Sequence, residues 1–401
     1  MDASTVSLRP PADEYTGPPK AWFLDEGWHE RDLEAVFRCK WLVAGHVDEL
    51  DADGSGHGYI TFSLGREEAL IRRDEDGRVR AYHNVCPHRG AQLCKGGRGT
   101  TASKRIVCPY HAWTFSAADG QLLSARHMHE DFDPSGLGLM PVHVEVWKGL
   151  IFVCFAEQAP APVADYMGGV TLGGFDLEAM KLGASKTHAI EANWKIVVEN
   201  NLECYHCVVI HPEFSAVFDW RGGSEGREFD FEGERALRAG GLEVIESSHS
   251  SPLTIDGERT CEVLAPRRGG EADPFFAQFV LWEPGAAMSL SRDVAWFFLP
   301  KPLGPGRTEL RQYWLVAAEA EEGRDYERER LMRFWDTTML QDREICEAVQ
   351  RGMRMPAYSP GPLNRVYQIG QAGFYAWYVE QIRARFPDLV EEPNPALGRT
   401  E

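Results

Sequence analysis

Cys86-Pro87-His88-Arg89-Gly90 and Cys108-Pro109-Tyr110-His111-Ala112-Trp113 are the two stretches on which the reading of this chain turns. Each offers one thiol and one imidazole from a short loop. The prolines and Gly90 favour rigid turns, so the ligands can be held without wobble. The gap between the loops suits a small antiparallel hairpin. Outward from them, residues 58–155 read as short strands and turns. Ala69–Arg73 and Arg78–Tyr82 flank Asp74-Glu75-Asp76-Gly77, a hairpin with Asp-Gly at its tip. A second strand and turn follow at Trp113-Thr114-Phe115 and Asp119-Gly120. Ile151–Phe155 reads as a buried strand closing the region, and Gln158-Ala159-Pro160-Ala161-Pro162 breaks regular structure as a linker.

Two thiols and two imidazoles are an acceptable set for Zn²⁺. They are also the inventory of a Rieske [2Fe–2S] cluster, with two thiolates on one iron and two imidazoles on the other. Zinc fingers group Cys with Cys and His with His, whereas here each loop alternates them. The iron–sulfur reading is the better fit.

Composition bounds the rest. A chain of 401 residues with 43% apolar residues predicts two cores rather than one. A net charge of −19 and a pI near 5.2 argue against nucleic acid or an anionic membrane surface as partner. They are compatible with a cationic substrate or redox partner. Met1–Thr5 has no secretory signal character, and no run of about 18 apolar residues spans a membrane. Nine cysteines, unevenly placed, make a disulfide framework improbable. These features predict a cytoplasmic protein.

A second constellation lies in Asn193-Trp194-Lys195-Ile196-Val197-Val198-Glu199-Asn200-Asn201-Leu202-Glu203-Cys204-Tyr205-His206, followed by His211-Pro212. The pattern predicts a helix over 194–208, with Glu203 and His206 on one face. Two imidazoles and one carboxylate make the facial triad of oxygen-activating Fe(II). On spacing alone Glu203 is the nearest carboxylate. Cys204 and Cys207 read as buried structural thiols rather than a redox dithiol. A helix over 30–37, strands at 278–282 and 295–299 and a long helix over 324–353 complete the expected elements.

Cys86-x-His88-Arg89-Gly90 with Cys108-x-x-His111-x-Trp113 resembles the cluster motif of Rieske-type non-haem iron oxygenase α subunits. It lacks the extra cysteine that respiratory Rieske proteins carry in each loop, and Cys94 reads as structural. The resemblance implies an α+β chain: an all-β Rieske domain at 41–160, and a catalytic domain at 161–401 whose antiparallel sheet is wrapped by helices (helix-grip, START-like). Residues 1–40 would pack on the catalytic domain. It implies that Cys86, His88, Cys108 and His111 hold the [2Fe–2S] cluster. It moves the iron carboxylate from Glu203 to Asp342 in Gln341–Gln350, with Glu344 and Glu347 as rivals, so that His206, His211 and Asp342 hold the mononuclear iron. Glu203 would then bridge the two centres, bonding His206 of its own chain and a cluster histidine of a neighbouring subunit.

Trp41, Gly45-His46, Glu130-Asp131-Phe132-Asp133, and Glu rather than Asp at 203 are similar to the subgroup that oxidises glycine betaine, stachydrine, choline or carnitine. That likeness implies O₂- and NAD(P)H-dependent N-demethylation, fed by a separate flavin and iron–sulfur reductase, in a homotrimer or multiple of three. Aromatic faces would recognise the cation. Phe214, Phe218, Trp220, Trp282, Trp296, Phe297, Phe298, Tyr313, Trp314 and Trp335 are available, most of them as core. The alternatives are an aromatic-ring hydroxylase and a non-enzymatic zinc or iron–sulfur protein.

Overall fold

The computed structural model describes residues 16–51, 54–167, 172–217, 242–248, 252–267, 276–365 and 367–389. The chain forms two units, residues 37–169 and residues 1–36 with 170–401. The N-terminal segment carries α1 (Ala21–Leu24) and α2 (Glu26–Asp32), and a π-helical turn at Leu33–Phe37 continues α2 where a plain helix over 30–37 was expected. Asp25 caps α2 by accepting from Trp28 N at 3.0 Å. Trp22 and Trp28 are fully buried and face each other at 5.7 Å.

The smaller unit is built from three antiparallel sheets. One is a four-stranded sheet in the order β4-β3-β2-β5: β2 is Gly58–Leu64, β3 Glu67–Arg73, β4 Val79–His83 and β5 Arg98–Thr100. The expected hairpin is β3–β4, paired from Arg73 opposite Val79. Its tip takes the left-handed conformation at Gly77, φ +79°. Asp74 closes the turn by accepting from Asp76 N and Arg78 N at 3.0 and 2.9 Å.

The second sheet has the order β1-β10-β9: β1 Leu42–His46, β9 His143–Trp147 and β10 Leu150–Cys154, whose burial is complete along its length. The third joins β6 (Ile106–Val107), β7 (Thr114–Phe115) and β8 (Leu122–Ser124). The proline-rich stretch 158–162 stays with this unit and leads into a short helix, α3 (Val163–Tyr166). Trp41 Nε1 donates to Ala161 O, and Val163 N donates to Glu145 Oε2, each at 2.8 Å.

The larger unit is organised on a six-stranded antiparallel sheet in the order β11-β16-β15-β14-β13-β12. Its strands are β11 (Met180–Ile190), β12 (Leu242–Ser248), β13 (Phe276–Trp282), β14 (Ala286–Leu290), β15 (Ala295–Gly304) and β16 (Arg307–Ala317). The strands expected at 278–282 and 295–299 fall within β13 and β15. Against the sheet lie α4 (Trp194–Asn201) and α7 (Arg328–Met353); α5 (Cys207–Ile210) packs on α6 (Pro212–Val217), α6 on α7, and α8 (Ile369–Arg385) on α4. This is an antiparallel sheet gripped by helices.

The helix expected over 194–208 is broken. Leu202 N shares the Val198 and Glu199 carbonyls at 3.1 and 3.2 Å, which tightens the end of α4. The Glu203 side chain then turns back to accept from Tyr205 N and His206 N, competing with the helical ladder. A Cβ at Gly370 would lie 2.5 Å from Leu202 O, so glycine is what lets α8 reach this break.

Candidate metal centres

In the smaller unit both Cys/His loops fold the same way. Cys86 N donates to Ala91 O and Gly90 N donates back to Cys86 O, at 2.8 and 2.9 Å. Cys108 N donates to Trp113 O and Ala112 N to Cys108 O, at 2.8 and 3.1 Å. The fourth residue after each cysteine is left-handed: Gly90 at φ +69° and Ala112 at φ +56°. A non-glycine residue held there signals a backbone fixed by its surroundings.

The two thiols are buried and in hydrogen-bond contact, and burial pushes the Cys86 thiol up. The His88 and His111 rings lie 4.9 Å apart. His88 stacks on buried Trp113 at 4.5 Å and 4°, while exposed Tyr110 stacks on His111.

The buried Nδ1 of His88 has no hydrogen-bond partner among the described residues. An orphaned imidazole nitrogen beside two facing thiols is what a bound metal group relieves. The donor set fits a mixed Cys/His cluster, with the imidazole side towards the surface. Cys94 lies outside it in the core, its backbone clamped by the Asn84 side chain at 2.9 and 2.7 Å.

In the larger unit three candidate ligand atoms converge. His206 Nε2 and His211 Nε2 are 3.1 Å apart, and Asp342 Oδ1, from the middle of α7, lies 3.3 Å from the first and 2.9 Å from the second. The other ring nitrogens are engaged. His206 Nδ1 bonds Glu203 Oε1 and His211 Nδ1 bonds Gln341 Oε1, both at 2.8 Å, and Gln341 Nε2 donates to Glu213 Oε2. Each Nδ1–H therefore donates outward, leaving Nε2 lone pairs aimed inward with a carboxylate. Such a set needs a cation at its centre.

A proton on His206 is one such cation. Burial opposes it, but the Asp342 and Glu203 carboxylates outweigh burial and lift His206 to about 9. Burial likewise opposes ionisation of Asp342, yet bonds from His206 and His211 hold its pKa below the usual range. Two imidazoles and one oxygen, with other directions open, suit a divalent iron.

Glu203 thus lies on the outer nitrogen of His206 and does not join the convergent set. Glu344 is exposed, and Glu347 accepts from Glu191 N. Cys207 Sγ lies within 4.8 Å of the two histidines, but it is bonded to Cys204 and is no free thiolate. The disulfide replaces the two buried thiols expected from sequence: residues 204–207 turn tightly enough to bring their Cα atoms to 4.9 Å. Gln341 was missed. Its one signal is that it precedes Asp342 on α7. Asn200, whose amide nitrogen lies 3.2 Å from His206 Nε2, was missed as well.

Of the aromatic residues available to recognise a cation, Phe218 and Trp220 lie outside the described residues. Phe214 sits 6.1 Å from the His211 ring and begins a cluster with Phe334 at 5.7 Å and Trp335 at 6.2 Å. Trp335 stacks on Trp296 at 4.0 Å and meets Phe279 at 6.1 Å. Trp282, Phe297, Tyr313 and Trp314 are core.

Known families match both units. The Rieske [2Fe-2S] domain matches residues 40–147, and the ring hydroxylating alpha subunit (catalytic domain) matches residues 177–384. The chain is similar to the glycine betaine monooxygenase oxygenase subunit of Pseudomonas aeruginosa, 32% identical over 94% of this chain and 92% of that one. It is 29% identical to the chloroplastic choline monooxygenase of Amaranthus tricolor, over 92% and 78%. Among solved structures, the quaternary ammonium Rieske monooxygenase CntA shares the fold, with a TM-score of 0.72, 24% identity and coverage of 92% and 95%. Two iron centres, electrons from a separate reductase and O₂ as co-substrate go with such a chain. It belongs to the Rieske-type ring-hydroxylating oxygenases, as the oxygenase α subunit.

Proposed function

We propose that this oxygenase acts on a small quaternary ammonium compound of the glycine betaine type, oxidising an N-methyl C–H bond. The resulting carbinolamine collapses to formaldehyde and a tertiary amine. The observation that carries the reading is the aromatic cluster that Phe214, 6.1 Å from the His211 ring of the convergent His206–His211–Asp342 set, forms with Phe334 and Trp335. A quaternary cation donates no hydrogen bonds, so ring faces and diffuse negative charge must hold it. The net charge of −19 favours its approach.

In this reading Cys86, His88, Cys108 and His111 hold the cluster, and His206, His211 and Asp342 hold the mononuclear iron. When bound, these groups supply electrons and activate O₂. The chain's own residues set the geometry. Glu203 fixes the tautomer of His206, and Gln341, steadied by Glu213, fixes that of His211. The aromatic cluster orients the methyl group and excludes water.

Glu203 would also bridge to His111 of the partner subunit in a homotrimer. The system would work in the cytoplasm, where a reductase has NAD(P)H at hand. A substrate panel scored by formaldehyde release, with a reductase present, tests the reading. Release with glycine betaine, stachydrine, choline or carnitine supports it. Turnover of an aromatic acid, with none on any ammonium compound, makes the chain a ring hydroxylase instead.

A further inference from the structure

Lys195, Glu199 and Glu203 recur at four-residue spacing through α4 and its C-terminal turn. The first is settled: fully buried Lys195 contacts Asp32, which also accepts from Trp194 Nε1 at 2.8 Å and Tyr378 Oη at 2.6 Å. The third serves His206. Glu199, between them, has no assigned purpose. It keeps some accessible surface but is tightly surrounded.

From its own segment it faces Lys195 and Glu203, from α7 Cys346, from the loop after α7 Tyr358, and from α8 Tyr375 and Gln371. Tyr375 Oη bonds Glu199 Oε1, while Gln371 donates to the Glu199 backbone carbonyl at 3.3 Å. The one cation among these groups is Lys195, already matched by Asp32. An ionised Glu199 would therefore stand without a matched cation and within electrostatic reach of Glu203, whose own partner is His206. Like charges repel, and more strongly away from water.

We propose that Glu199 is a positioning residue that works in its protonated form, leaving Glu203 the one charged carboxylate of this segment to orient His206. This rests on the reading of Glu203 and His206 as site residues. Burial, reinforced by Glu203 and only partly offset by Lys195, pushes Glu199 up to about 8, so the proton is held at neutral pH and lost just above it. On ionisation the repulsion displaces Glu203 from His206 Nδ1, and His206 loses its anionic partner.

The test compares wild type, Glu199→Ala and Glu199→Gln as holoenzymes with reductase, alongside pH-dependent infrared difference spectra of each metal-free protein. Wild-type turnover is expected to fall about tenfold per pH unit above pH about 8, following the protonated fraction. Glu199→Ala, which is uncharged but also loses the acceptor that Tyr375 bonds and so the positioning, is expected to lose turnover at every pH. Glu199→Gln, the permanently neutral mimic, is expected to rescue it and to abolish the alkaline limb.

The infrared signature of a protonated carboxyl that ionises near pH 8 is expected in wild type and absent from Glu199→Gln. An alkaline limb shared by wild type and Glu199→Gln, or a missing infrared band, overturns the proposal. If Glu199→Ala fails to fold, the Gln profile and the infrared titration still decide. If wild type turns over no ammonium compound, the substrate reading fails, while the infrared titration still decides the state of Glu199.

Discussion

The Glu203–His206 pair shows how much one carboxylate can be asked to do. Its Oε1 holds the outer nitrogen of His206 while its other oxygen shapes the turn after α4. Glu203→Gln keeps the shape but not the charge. It is expected to retain cluster and mononuclear iron, measured by metal analysis, and to lose multiple-turnover activity by about 10- to 100-fold, the usual penalty for removing an outer partner of a metal ligand. Loss of the mononuclear iron in that variant would make Glu203 itself a ligand.

The neighbouring histidine sets a pH dependence. Metal-free His206 holds a proton up to about 9, and the metal needs that nitrogen's lone pair. Below pH 9 each bound metal displaces a proton. Apparent Fe(II) affinity should therefore fall about tenfold per pH unit as pH drops, and flatten above 9. Titration of the metal-free protein at several pH values measures this slope; an affinity independent of pH from 6 to 9 would contradict it.

At the scale of elements, the two loops of the smaller unit were legible because their candidate ligands are local. Cys86 with His88, and Cys108 with His111, each sit in one short turn, and the hairpin β3–β4 was announced by Asp76-Gly77. The break after α4 was not legible. Nothing in residues 194–208 forbids a helix; the Glu203 side chain and the approach of α8 at Gly370 end it. Nor was α8 foreseen, although its aromatic residues Phe374, Tyr375 and Tyr378 pack beside Trp22 and Trp194.

The Cys204–Cys207 disulfide belongs to this scale, closing the turn that carries His206. Alkylation of the denatured, unreduced protein should label seven of the nine cysteines, and all nine after treatment with a dithiol. Labelling of all nine without reduction would restore the reading of two structural thiols.

At the scale of the whole molecule, the sequence was enough to expect a cluster unit and a sheet-and-helix catalytic unit. The catalytic ligand set was harder to read. Asp342 comes from a helix far along the chain, and spacing alone favoured Glu203; family resemblance moved the assignment to the residue that the fold brings within 2.9 Å of His211. Long-range convergence of this kind leaves no local pattern to read.

The central claim is that one chain carries two separate iron centres, and Asp342 separates them. Iron quantification with electron paramagnetic resonance on wild type and Asp342→Ala tests it directly. Wild type should hold about three irons per chain and, when reduced, show the signal of a Rieske cluster. Asp342→Ala should hold about two, with that signal unchanged. A colourless zinc protein, or loss of the cluster signal on substituting Asp342, would contradict the account.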